Sequence, residues 1–140
     1  MRAMPTWFRV VAVVLVLWNL AGAYACIQQF RLGAEAMGPA TDYDRQLFAA
    51  MPVWYNWVFA AAEVTGVAGA VALLIGRRIA LPLLIASLVF VVIQFGYLFA
   101  TSDIIAVKGV WTTYFPAFIA AVSLVQIALA RLGIRRGWLR

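Results

Sequence analysis

Histidine is absent from this chain, and cysteine occurs once, at Cys26. The first absence excludes histidine-ligated haem, histidine metal sites and every serine–histidine or cysteine–histidine catalytic pair within the chain. The second excludes an internal disulfide. Acidic residues number only five. No CxxC, GxGxxG or P-loop spacing occurs, so no motif calls for a cofactor, and none is expected. Nothing here assembles a catalytic constellation, so the chain reads as a protein that is not an enzyme.

Charge is scarce as well. Charged residues make up 11% of the 140 and hydrophobic residues 66%, whereas a soluble domain carries about 25% charged residues. So apolar a surface is stable where lipid tails solvate it. The net charge of +6 does not indicate nucleic acid, because the basic residues sit at the ends of apolar runs and form no separate basic face.

Four apolar runs are present, at about 10–27, 53–75, 79–100 and 110–130. Each is near the ~20 residues that a helix needs to cross ~30 Å of hydrocarbon. They lack the period-two alternation of barrel strands. The first run also carries signal-peptide features, with Arg2 and Arg9 ahead of it and Ala23-Tyr24-Ala25 before Cys26. Its length favours an uncleaved helix, and the bulk of Tyr24 disfavours a lipoprotein cysteine. The expected fold is all-α: a single-domain integral membrane four-helix bundle.

The charges give an orientation. Arg2, Arg9, Arg77, Arg78, Arg131, Arg135, Arg136 and Arg140 fall on one side, with no acid. Arg31, Arg45 and Lys108 fall on the other, with Glu35, Asp42, Asp44 and Asp103. Eight basic residues against three place both termini in the cytoplasm by the positive-inside rule. On the outer side, Gly33, Gly38 and Pro39 interrupt the chain before Thr41 or Asp42, either of which can cap a short helix. In it Tyr43, Leu47, Phe48 and Met51 share an apolar face opposite Asp44 and Arg45. A short amphipathic helix on the outer surface is therefore expected. Trp7, Trp54, Tyr55, Trp57, Trp111, Tyr114 and Trp138 lie near the run ends, as an interfacial aromatic belt does.

One acid, Glu63, falls well inside a run. Intramembrane acids are costly, and they mark either function or a buried partner. Asn56, Ala60, Gly66 and Ala70 share its helical face, a small-and-polar stripe that turns Glu63 toward the bundle. Gly66 and Gly69 are the expected helix-packing positions. At a rise of about 1.5 Å per residue, Glu63 lies about 21 Å from Arg77, Gln94 about 24 Å from Arg78 and Tyr24 about 22 Å from Arg9. These three are level, and Glu63 is expected to hydrogen-bond to Gln94 or Tyr24. Asn19 is nearer the middle, about 15 Å from Arg9, with Gln126 close to the cytoplasmic side. Glu63 then reads as a neutral carboxyl joining helices, as the proton- or substrate-binding group of a carrier, or as a contact to a partner subunit or pigment.

Several stretches occur together: Trp18-Asn19 with Gly22 and Tyr24; Met51-Pro52-x-Trp54; Gly66 and Gly69 followed by Leu73-Leu74-x-Gly76-Arg77-Arg78; and Arg135-Arg136-Gly137. In these the chain resembles a family of small bacterial four-helix inner-membrane proteins that are often automatically labelled "sugar transporter". The resemblance implies a multi-pass protein of the bacterial inner membrane and carries over no catalytic or binding residue. Glu63 departs from the family pattern, which has an apolar residue there. The function expected is that of an accessory or interaction subunit, packing against a larger membrane complex or against itself. The alternative is a small-solute transporter, sugar- or proton-coupled, acting as an oligomer.

Overall fold

A computed structural model describes residues 3–36 and 38–140, so Arg2 of the charge count lies outside the described residues. The described residues form helices and no strand. Helix α1 covers Thr6–Leu32 and α2 covers Asp42–Ala50; α3 covers Val53–Leu74 and α4 Ala80–Thr101; α5 covers Ile104–Lys108 and α6 Tyr114–Arg135. Short 3₁₀ turns, Gly33–Glu35 and Val110–Thr113, precede α2 and α6. Four helices are long and apolar enough to cross a membrane. Helix α1 outruns the apolar stretch expected at 10–27, because Gln28, Gln29 and Arg31 are good helix formers. The connection between α4 and α6 contains the short helix α5.

The short helix α2 forms where the capping pattern places it. Thr41 Oγ1 accepts from the Asp44 amide at 3.1 Å, and the Asp44 carboxylate accepts from the Thr41 amide at 3.0 Å. This reciprocal box satisfies two amides that the first helical turn would leave unpaired. Phe48 lies against the Gly33 turn, where an added Cβ would stand 3.3 Å from its ring.

Packing runs α1 on α3, α3 on α4 and α4 on α6. Helix α1 meets α6 through the aromatic edge of Trp18 on Phe118 at 5.5 Å, and the tail beyond α6 through Phe8 on Trp138 at 5.1 Å. The tightest core lies at the end where α1 begins and α3 ends. It is built from Phe8, Ala12, Leu15, Leu73, Ala80, Leu84, Ala130 and Leu139. Both helices that finish at this end stop on a left-handed glycine, Gly76 (φ 79) after α3 and Gly137 (φ 76) after α6. In each case the next amide reaches back to a carbonyl five residues earlier, Arg77 to Ala72 and Trp138 to Gly133, both at 2.8 Å. Such a cap satisfies the last carbonyls and turns the chain sharply.

The other end is held by polar contacts. Tyr43 of α2 donates to Asp103 at 2.7 Å, and Lys108 pairs with Asp44. Arg45 bridges to Glu35 at 2.9 Å, while Glu35 also accepts from the Ala40 amide at 2.8 Å. Helix α2 is thereby tied across the bundle to the connection between α4 and α6.

Candidate functional site

Two polar features occupy the apolar interior, and they are of different kinds. The first is a layer at the centre of the bundle. Asn19 Nδ2 donates to Gln126 Oε1 at 2.7 Å and to the Leu15 carbonyl at 2.8 Å. Ser87 donates to the Ala62 carbonyl at 2.8 Å, and Ser123 to that of Ile119 at 3.0 Å. Gly66 completes the layer by being small. A Cβ there would lie 2.5 Å from Asn19 Oδ1 and 3.1 Å from Ser87 Oγ. One turn on, Gly69 admits Leu84 of α4 in the same way, with its side chain 2.8 Å from where a Cβ would stand. Asn19, Ser87, Ser123 and Gln126 are all buried, and among the described residues no buried side-chain polar atom lacks a partner.

The pairing of Asn19 with Gln126 corrects the expectation that Gln126 lies near the cytoplasmic side. Helix α6 continues to Arg135, and counting back from Arg135 sets Gln126 about 13 Å up the helix, close to the level of Asn19.

The second feature is Glu63. Its carboxyl lies over Gly22 of α1, so close that an added Cβ at Gly22 would stand 2.9 Å from the carboxyl carbon. Gly22 is thus the seat that the side chain requires. Depth counting could have found it, since Gly22 is about 20 Å from Arg9. Glu63 lies on the wall of a groove between α1 and α3, of about 670 Å³, which opens sideways. The lining is apolar: Leu20, Ala23, Cys26, Ile27 and Phe30 of α1, and Ala60, Val64, Val67 and Ala68 of α3. Arg31 stands at one end of the groove and donates to Gln28 at 3.0 Å.

No hydrogen bond within the described residues reaches Glu63, and the expected partners are elsewhere. Tyr24 is 64% exposed, on the outward face of α1. Gln94 is buried and lies beside the Tyr55 hydroxyl, on another side of α3. Tyr24 differs in direction around the helix, and Gln94 also in level, since Ser87 of α4 already meets Ala62 and Gln94 lies about two turns further on. Of the stripe that includes Glu63, Gly66 and Ala70 are buried, Ala60 lines the groove, and Asn56 accepts from Gln29 of α1 at 2.7 Å. Glu63 therefore stands at the edge of the α1–α3 seam.

The basic residues Arg77, Arg78, Arg131, Arg135 and Arg136 are exposed. They gather with the start of α1 at the end that holds the tight core. Among the described residues no group of three or more side chains of metal-ligand type comes together. Comparison of the chain with protein-family models, with curated proteins and with solved structures finds no match.

Proposed function

We propose that this chain is a non-catalytic, multi-pass protein of the bacterial inner membrane, with both ends cytoplasmic. It acts as an accessory or interaction subunit, and the α1–α3 groove is the face that receives its partner. The contrast between the two polar features carries the proposal. The central layer is buried, bonded within the chain and away from the groove. Glu63, by contrast, faces sideways from an apolar groove with no partner of its own. A membrane carboxyl in that position calls for a donor from outside the chain, and a helix bringing one would pack closely on Ala23, Ala60 and Ala68. The resemblance to small bacterial four-helix inner-membrane proteins accords with this role.

One observation favours a small-solute carrier as the second reading: the groove is of the size of small-molecule sites, about 300–1,000 Å³. A sugar suits it poorly, because Glu63 and, at one end, Arg31 are the charged groups in an otherwise apolar lining.

The test is extraction in a mild detergent, with identification of what remains bound in stoichiometric amount. The expected result is one larger membrane protein, retained by Glu63→Gln, which keeps the hydrogen bonds. Glu63→Leu should release it. Recovery of the chain alone, together with solute uptake that Glu63→Gln abolishes, would overturn the subunit reading in favour of the carrier.

A further inference from the structure

Beyond Gly137 the chain folds back along the turn between α3 and α4. The Arg140 amide donates to the Gly76 carbonyl at 2.8 Å, and the Arg78 amide donates to the Arg140 carbonyl at 2.9 Å. These two bonds bracket residue 77. That is the pattern of a single parallel bridge, with Arg77 and Arg140 as the paired residues. Paired residues lie about 5 Å apart and send their side chains to the same face. Their neighbours fix the pair. Leu139, directed the opposite way, is 3% exposed in the core. Trp138 meets Phe8 and Trp7 edge-on, at 5.1 and 5.8 Å.

The clasp thus brings the backbones of Arg77 and Arg140 together, and both side chains are exposed. Like charges directly paired across a bridge are destabilising. No side-chain carboxylate answers them: Glu35, Asp42, Asp44 and Asp103 lie at the other end of the bundle, and Glu63 is in the groove. Among the described residues no ion pair reaches any arginine at this end.

We propose that the Arg77–Arg140 pair is a binding site for the phosphate of an anionic phospholipid headgroup. A phosphate placed between two guanidinium forks accepts charge-assisted hydrogen bonds from both and removes their repulsion. The surroundings suit a lipid. Ile75 and Ile79 flank the turn and are 63% and 57% exposed, and Trp7 is 50% exposed beside the tail. Acyl chains descending from a headgroup on the pair would meet these apolar surfaces. The choice of a lipid as the source of the phosphate rests on the bilayer reading proposed above; the bridged pair does not.

The experiment is native mass spectrometry of the intact protein released from mixed phosphatidylcholine–phosphatidylglycerol nanodiscs. Phosphatidylglycerol should be retained selectively. Arg77→Gln with Arg140→Gln should weaken its retention by about 25-fold, from about 1 kcal/mol for each arginine near an anionic surface. The backbone bonds of the clasp do not involve these side chains, so the fold should persist, as circular dichroism would show. Arg131→Gln with Arg135→Gln removes the same charge from unbridged positions and should cost less than about 5-fold, its effect being screened. Equal losses from the two pairs would overturn the site, and so would displacement of the lipid by millimolar inorganic phosphate. A chain that stays in solution without detergent would instead overturn the bilayer reading.

Discussion

Replacing Gly66 by alanine tests the central layer directly. The new methyl group would stand 2.5 Å from Asn19 Oδ1 and 3.1 Å from Ser87 Oγ. Asn19 is the nearer obstacle, and it cannot move without losing its 2.7 Å bond to Gln126. Overpacking of this kind costs about 1–3 kcal/mol. A side-chain hydrogen bond between membrane helices contributes about 0.6 kcal/mol on average and up to about 1.7. Against these stands the better helix propensity of alanine, worth about 1 kcal/mol. The net expectation is a loss of about 1–3 kcal/mol. In an Asn19→Ala background the nearer obstacle is gone, and Gly66→Ala should become neutral or stabilising. The two substitutions should therefore couple by about 2 kcal/mol. Equilibrium unfolding in mixed dodecylmaltoside–SDS micelles, followed by circular dichroism, measures all four corners of the cycle. Gly96→Ala is the control, since a Cβ there meets nothing within 4 Å. Equal costs of Gly66→Ala in the two backgrounds, to within about 0.5 kcal/mol, would refute the clash with Asn19.

The tie between α2 and the α4–α6 connection should open at both extremes of pH. The Lys108 ammonium and the Thr41 amide hold the Asp44 carboxyl down at about 2, from an ordinary 3.8. Its contribution is therefore present above about 3.8 and lost as pH falls toward 2. The hydrogen bond to Asp103 pushes the Tyr43 hydroxyl up to about 12 from 10.0, so that contact is intact below 10 and lost as pH rises through 12. A spin label at the exposed Gln46 should grow mobile in both ranges, and at pH 7 already in Lys108→Met; an immobile label in that variant would dismiss the tie. Gly76→Ala should cost about 1–2 kcal/mol, because φ is positive there, and Gly76→Asn less. The order is read from thermal unfolding, and equal costs would remove the left-handed turn as the cause.

The four long helices were legible because length and hydropathy alone specify an apolar segment of about 20 residues. Helix α2 was legible for a local reason, since Thr41 and Asp44 make their capping bonds within one turn. Glu63 was legible as an exception but not in its surroundings. Counting along a helix gives depth only coarsely: Gly22 does meet Glu63, but on α4 it is Ser87, not Gln94, that lies beside Ala62. Direction around the axis depends on which neighbouring helix claims each face, and apolar residues on every side erase that signal. Tyr24 turned outward and Gln94 turned to Tyr55 for this reason. The seat at Gly22 and the bridge between Arg77 and Arg140 join residues far apart in sequence, so no local pattern announces them.

The central layer has an electrical consequence. Asn19, Gln126, Ser87 and Ser123 are amides and hydroxyls, which neither gain nor lose protons near neutral pH. Asn19 and Gln126 bond to each other, and Ser87 and Ser123 donate to backbone carbonyls, so the layer holds no titratable group. Glu63, the acid within the four long helices, stands to one side of that layer. If the chain is the non-transporting bilayer protein proposed above, the bundle should insulate: liposomes carrying an internal pH dye should hold an imposed gradient as long with the protein as without it.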